Sequence, residues 1–449
     1  MVYTKNLLCW LEKVLFERFG VAFTLRLHED RWVLTVLGLD GCIEVLRAHT
    51  SFDVAARTIP CTQWCANGSG LQPAIAGALP APGSTTLPNP LLTELAGGFR
   101  IGYDIFGLAV WMMTRQEEIG AVVLDAHGRF PAVESHAYRH GYLDRPVVDE
   151  WLLVLQGLIQ RVWPTLTIKQ HVFTQIVSHD VDEPSFAAFA SPLMLLRRMV
   201  GDAMRRGRLS SLVDMPRIRR ESRSQISKRE PFNTFEWLMD QSERRGLKSA
   251  FYFICGRTVP ARDALYELEH PAIRHLLRRI HSRGHEIGLH PSYGTYQSPA
   301  LIAQEAARLK RVCGEEGIEQ QTWGGRMHYL RWEHPTTMYG WEAAGMTYDS
   351  TLGYGDQPGF RCGTCFDYPA FDPVRNEMLN LRIRPLVAMD QTFLGKHYLD
   401  LGTGDRALSR FVQLKDACRR VNGAFTLLWH NSFFPTVAER NLYERVLDA

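Results

Sequence analysis

The sequence predicts an α/β protein of two parts, a smaller α/β module over residues 1–165 and a larger C-terminal domain over residues 166–449. Three observations lead there. A chain of 449 residues exceeds the usual reach of one hydrophobic core. From Val172 onward, strand-like runs alternate with helical stretches that end in glycine, the pattern of a parallel sheet or barrel. Before that point, short β-rich runs and helices follow one another with no chemical signature.

In chain order, the stretch from Met1 to Phe23 reads as an amphipathic helix, because its charges are spread through it and no apolar h-region or small-residue cleavage site follows. Trp32 to Leu37 reads as a strand and Val148 to Val162 as a helix stopped before Pro164. The Gly/Pro/Ser/Thr-rich segment over residues 68–90 predicts a surface loop, since it offers turns but little to bury. His127, His136 and His140 have spacings that suit a metal, although hydrogen-bonded histidines satisfy the same pattern.

In the C-terminal domain the first strand is Phe173 to Val177. A helix from Thr234 to Arg245 ends at Gly246 and leads into the apolar run Ser249 to Ile254. A second helix, Ala272 to Arg283, ends at Gly284 before the short strand Glu286 to His290. A third, Pro299 to Gly314, precedes a strand around Gln321 to Trp323. Residues 186–231 interrupt the series with an arginine-rich helical insertion holding Arg197, Arg198, Arg205, Arg206, Arg208, Arg217, Arg219 and Arg220. Its apolar start, Met194 to Leu196, makes it a solvated helical excursion, an amphipathic helix for peripheral membrane contact, or a clamp for an anionic polymer.

Composition narrows the class. With 45% hydrophobic residues, 22% charged residues and a net charge of +3, the chain reads as an ordinary globular enzyme with no nucleic-acid partner. No apolar run reaches the ~18 residues of a transmembrane segment, and the expected compartment is the cytoplasm. Nine cysteines, an odd number running from Cys9 to Cys418, suit reduced thiols. Cys61, Cys65, Cys362 and Cys365 could in principle form a structural zinc site.

The chemistry concentrates at strand ends. In Ser178-His179-Asp180-Val181-Asp182, alternation along a strand puts Asp180 and Asp182 on one side and Val181 on the other. Two carboxylates at a strand's C-terminal end are where a metal ligand and a general base are wanted. In Gly284-His285-Glu286-Ile287-Gly288-Leu289-His290 the glycines and the five-residue histidine spacing exclude a helical HExxH zinc motif and leave His290 at the end of its own strand. The β-rich run Phe425 to Trp429 terminates in His430, which suits protonation of a leaving group, with Asp390 available to orient it. Arg326 could hold a carboxylate by a charge-assisted hydrogen bond.

The order of these motifs (Asp-x-Asp, GHEIG-x-H, an Arg-x-x-Tyr segment and a Leu-x-His) resembles the polysaccharide deacetylase family, the NodB-like carbohydrate esterases, over about residues 172–435. The resemblance implies a distorted (β/α) barrel holding a divalent metal, usually zinc (Zn2+), in an Asp-His-His site. It implies Asp180 as catalytic base, Asp182 and His290 as metal ligands, Arg326 as the residue orienting the base, and His430 as catalytic acid. Gly294 stands where the family carries its second ligand histidine. His328 is the expected replacement, with His179 and His334 as the other candidates. The Asp-Val-Asp form of the first motif is associated with amidohydrolase-like members of the superfamily.

The expected function is a metal-dependent hydrolase that removes an acyl group, N-acetyl foremost, from a glycan or sugar conjugate. The alternatives are a glycan-binding pseudoenzyme that lost its metal with the histidine at position 294, or a small-molecule amidohydrolase. Among the aromatic residues near the motifs, Tyr329 and Trp429 are expected to face the substrate, ahead of Tyr293, Tyr296 and Trp332.

Overall fold

A computed structural model describes residues 4–449 except 29, 49–51, 53–57, 67–69, 122 and 207–209. Arg208 and the side chains of Arg205 and Arg206 thus lie outside the described residues. The chain divides into two compact units: one of Met1–Thr174, Leu352–Ala388 and Phe411–Thr426, the other of Gln175–Thr351, Met389–Arg410 and Leu427–Ala449.

The first unit is built on a five-stranded sheet. Its antiparallel strands Phe23–His28, Arg31–Val36 and Cys42–Leu46 continue through Gly98–Ile101, which runs parallel to Cys42–Leu46, to Leu92–Leu95. The apolar faces of the helices Lys5–Phe19, Ile105–Met113 and Val147–Val162 supply Trp10, Trp111 and Trp151, and with Trp32 of the sheet these are all but inaccessible. Burial of such rings is the main driving force available to a unit of this kind. Trp10 also donates its indole N–H to the carbonyl of Pro369 at 2.8 Å.

One expectation for this unit is corrected. The segment expected to be a surface loop contains the strand Leu79–Pro82, paired antiparallel with Cys61–Trp64, and Leu79 and Ala81 have no exposed surface. Its two prolines are compatible with a two-stranded ladder because each strand has an unpaired edge. Cys61, Cys65, Cys362 and Cys365 are free thiols and form no metal-binding group among the described residues. His136 is a buried hydrogen-bonding histidine, its Nε2 meeting the carbonyl of Ile59 at 2.8 Å, and it forms no metal-binding group with His127 or His140.

The second unit carries the parallel strands β1 (Thr174–Val181), β2 (Ser249–Ile254), β3 (Glu286–His290), β4 (Gly324–Gly325) and β5 (Tyr348–Asp349), with Leu427 and Leu428 at the end of β6 (Ala424–Leu428). Their order is β5-β4-β3-β2-β1-β6. Register aligns Asp180 with Tyr252, His290 with Ile254, Leu289 with Gly325, and Gly325 with Asp349, so the C-terminal ends of β1 to β5 lie along one rim. Among the described residues no ladder joins β5 to β6. The observed class is therefore α/β with a parallel-strand sheet, and pairing does not close it into the expected barrel.

Local sequence explains this sheet. Every residue of β2 is buried, as expected of a strand covered on both faces. Gly325 is required by close approach, because a Cβ there would lie 1.9 Å from the carbonyl oxygen of Leu289. The helices Pro271–Ser282 and Pro299–Glu315 begin with proline in the first turn behind the caps His270 and Ser298, which fixes where each starts after its loop. Between β1 and β2 the insertion forms the helices Pro192–Arg206 and Ser211–Glu221, packed on a small core of Ala187, Ala190, Leu195, Met215 and Ile218. No helix of the described chain is long and apolar enough to cross a membrane.

Candidate metal centre and strand-end site

Of the residues singled out in the C-terminal motifs, Asp180, Asp182, His290, Arg326, His328, Tyr329, Asp390 and His430 lie at the C-terminal rim of this sheet or beside it. Asp182 follows β1, His290 ends β3 and His328 follows β4. One ligand atom from each of the three lies within 4.8 Å of the others. The Nε2 of His290 is 3.2 Å, and that of His328 3.6 Å, from the same oxygen, Oδ1 of Asp182.

The hydrogen bonds around this trio show what it is built to hold. His290 Nδ1 is 2.6 Å from the carbonyl oxygen of Arg326, which can only accept, so the imidazole carries its hydrogen there and presents the Nε2 lone pair inward. His328 Nδ1 is turned the same way, toward Oδ1 of Asp263 at 3.2 Å. Asp182 Oδ1 is buried and receives no hydrogen bond. Three lone pairs therefore converge on one point, with outer partners fixing both rings, and this is the donor set and outer support of a divalent cation. The electrostatics agree. Burial alone would raise the Asp182 carboxyl, but His328 and His290 hold it well below the usual carboxylate range. Burial alone would likewise lower His328, but the carboxylates of Asp182 and Asp263 raise it to about 9, so they favour positive charge at this point, carried by the imidazolium or by a cation that displaces its inner proton.

Asp180 sits beside the trio, with Oδ2 at 3.7 Å from His290 Nε2. Its Oδ1 accepts from Arg326 Nη1 at 2.7 Å. Arg326 is wholly buried and firmly held: Nε donates to the carbonyl of Ser350 at 2.9 Å, and Nη2 to Ser178 Oγ at 2.9 Å and Ser350 Oγ at 3.1 Å. A planar guanidinium used on every side in this way orients one carboxylate oxygen and leaves the other toward the site.

His430 Nε2 lies 3.8 Å from Asp182 Oδ2. Its Nδ1 pairs with Asp390 Oδ1 at 2.8 Å, and its backbone N–H donates to Asp390 Oδ2 at 2.8 Å. Asp390, at the start of the helix Asp390–Leu394, is buried. Burial would lower the imidazole, but Asp390 first, and Asp182 and Asp180 after it, raise it to about 10, so it carries a proton at neutral pH.

The remaining candidates fall elsewhere. His179 points to the other face of β1, against Phe251, with Nδ1 on the carbonyl of Trp429 at 2.7 Å, and burial pushes it down to about 3. Neither His179 nor His334 belongs to the three-residue group. Trp429, expected to face the substrate, is instead fully buried among Phe434 and Tyr443. Tyr329 does flank the site, its ring 4.7 Å from that of His328 and 5.1 Å from that of Tyr293, on a backbone with φ of 61°. At Gly294 a Cβ would come within 3.0 Å of Thr258 Oγ1, so a histidine there would crowd a residue whose hydroxyl already accepts from the Gly294 N–H.

Three contributors escaped the sequence reading. Asp263 takes the N–H groups of Val259 and Tyr293, both at 2.7 Å, besides facing His328. Ser178 and Ser350 anchor Arg326. Asp263 and Ser350 stand in no motif; Ser178 opens the Asp-x-Asp segment, where its proximity to the carboxylates was the available signal.

A family model described as a family of unknown function (DUF7033) matches residues 48–164. No curated protein matches the chain. Among solved structures, the chain is similar to a candidate polysaccharide deacetylase from Mycobacterium smegmatis, at 16% identity and a TM-score of 0.40, over 62% of this chain and 84% of that one. It is also similar to PuuE allantoinase, at 13% identity and a TM-score of 0.36, again over 62% and 84%.

Proposed function

We propose that this chain is a metal-dependent hydrolase that removes an acyl group, N-acetyl foremost, from a sugar or glycan. The observation that carries the proposal is the convergence of Asp182, His290 and His328 on one point, flanked by an arginine-held carboxylate and a carboxylate-held imidazolium. A divalent cation bound there, zinc suiting the two nitrogens and one carboxylate, supplies Lewis-acid polarisation of a carbonyl and makes water more acidic. Asp180, fixed by Arg326, is positioned as the acceptor of the water's proton. His430, protonated and fixed by Asp390, is positioned to give a proton to the departing sugar nitrogen or oxygen.

The test is release of acetate from N-acetylated oligosaccharides by zinc-loaded protein. Release that disappears in Asp180→Asn while metal content is kept supports the proposal. No release from any acylated sugar by the fully metallated protein contradicts it.

A further inference from the structure

We propose that the helical insertion between β1 and β2 docks the protein on an anionic lipid surface. The helix Pro192–Arg206 has two apolar faces. One, through Leu195 with Met194 and Met199 beside it, is turned into the insertion's own core against Met215 and Ile218. The other consists of Leu193, Leu196, Val200 and Met204, which are 60%, 53%, 43% and 81% exposed. Their spacing of three, four and four residues places them in one stripe along the helix. Leu212 and Val213, 42% and 71% exposed at the start of the next helix, add to the exposed apolar surface.

Packing within the unit does not explain this stripe, because the inner face already closes the local core. A contiguous apolar surface of this kind on a folded protein marks an interaction site. Charge identifies the partner. From Pro192 to Arg223 the chain holds nine arginines against three acidic residues, and Asp202, one of the three, is buried against Ser211. Arg197, Arg217, Arg220 and Arg223 are exposed. A long apolar stripe on an arginine-rich segment with little negative charge is the composition of a helix lying in a membrane interface, apolar side in the acyl boundary and cations on anionic headgroups. A second copy of the same net-positive surface would meet like charge. The insertion begins a few residues after Asp182, and Arg198 of its first helix is paired with Glu183 at 2.5 Å, so docking ties the chain just beyond β1 to the lipid-facing helix. The docking does not depend on the hydrolase reading.

The experiment is flotation of the full-length protein with vesicles of phosphatidylcholine alone or mixed with phosphatidylglycerol, at low and high salt. Binding is expected to the mixed vesicles, weakened by salt. The variant Leu196→Ser/Met204→Ser/Val213→Ser should bind at least tenfold more weakly, since it removes three aliphatic side chains from the docking face. Metal content and circular dichroism check that it folds. Met204→Gln, altering only the most exposed position, should show a severalfold loss even if the triple variant is unstable. Absence of binding to the mixed vesicles overturns the proposal, as does binding that neither variant changes. A concentration-dependent dimer abolished by the same substitutions, without vesicle binding, also overturns it and identifies a second copy as the occupant.

Discussion

Two buried clusters of charge, one in each unit, are assembled from similar residues and completed differently. In the first unit, Glu118 accepts from Arg361 through both oxygens, at 2.9 and 2.6 Å, and from Arg115 at 2.8 Å. Arg115 also reaches Glu117 at 2.6 Å and Tyr354 at 3.2 Å, and Arg361 the carbonyl of Gly353 at 2.8 Å. Every donor faces an acceptor, so the network is complete from protein atoms alone. In the second unit the outer layer is equally complete, at Arg326, Asp263 and Asp390, but the inner nitrogens of His290 and His328 both point at one oxygen of Asp182. Burying charge stabilises a fold only when partners are supplied, so the closed cluster reads as structural and the open one as awaiting a cation.

This contrast can be broken most directly at a ligand. His290→Ala should remove the bound metal and with it all measurable hydrolysis, as read by metal analysis and acetate release; retention of stoichiometric metal would separate His290 from the site. His430→Gln should keep the metal and lower turnover about 10²–10⁴-fold, the range for loss of a general acid. Turnover at the parental rate would remove its assignment as the acid. In the closed cluster, Arg361→Met should cost about 3–5 kcal/mol in denaturant unfolding because it strands a buried carboxylate. The folded protein should still bind metal in full.

Asp263→Asn sharpens the comparison at the outer layer. It should weaken metal affinity about 10–100-fold, the usual effect of losing an outer partner of a ligand histidine, and lower stability by about 1–3 kcal/mol, because an amide nitrogen cannot accept the N–H of Val259 or Tyr293. Equal affinity in calorimetric titration would show that His328 needs no such support. The smallest effect is in acid. Burial would raise Glu118, but Arg361 and Arg115 bring it down to about 2 from an ordinary 4.5. A folded-state value below the unfolded one contributes stability that is complete above about 4.5 and is lost as the pH falls toward 2. Glu118→Gln should therefore flatten the fall in stability across that window, and an unchanged slope would show that the carboxylate adds nothing there.

How much was legible in sequence depended on how local the cause was. The strands Ser249–Ile254 and Glu286–His290 match the sequence reading to the residue, because apolar runs ending in glycine or a turn are short-range signals. Asp180 and Asp182 follow from alternation on a single strand, and the pairing of His430 with Asp390 follows from what an imidazole at a strand end requires. Asp263 was not legible, since its two partners at Tyr293 and His328 are brought to it only by parallel strands. Composition also misled: the prolines of Leu79–Pro82 signal a loop, although Leu79 and Ala81 are buried in a strand. Nor could local pattern assign residues 352–388 and 411–426 to the first unit, because only tertiary contacts bring them back to it.

The central claim is that Asp182, His290 and His328 together hold one divalent cation. Cobalt titration of metal-free protein, followed by its visible absorption, tests it most directly. One equivalent should bind with the spectrum of nitrogen and oxygen ligands, and His328→Ala should lose that spectrum while His179→Ala, on the other face of β1, keeps it. Binding by His328→Ala that matches the parent in stoichiometry and spectrum would contradict the account.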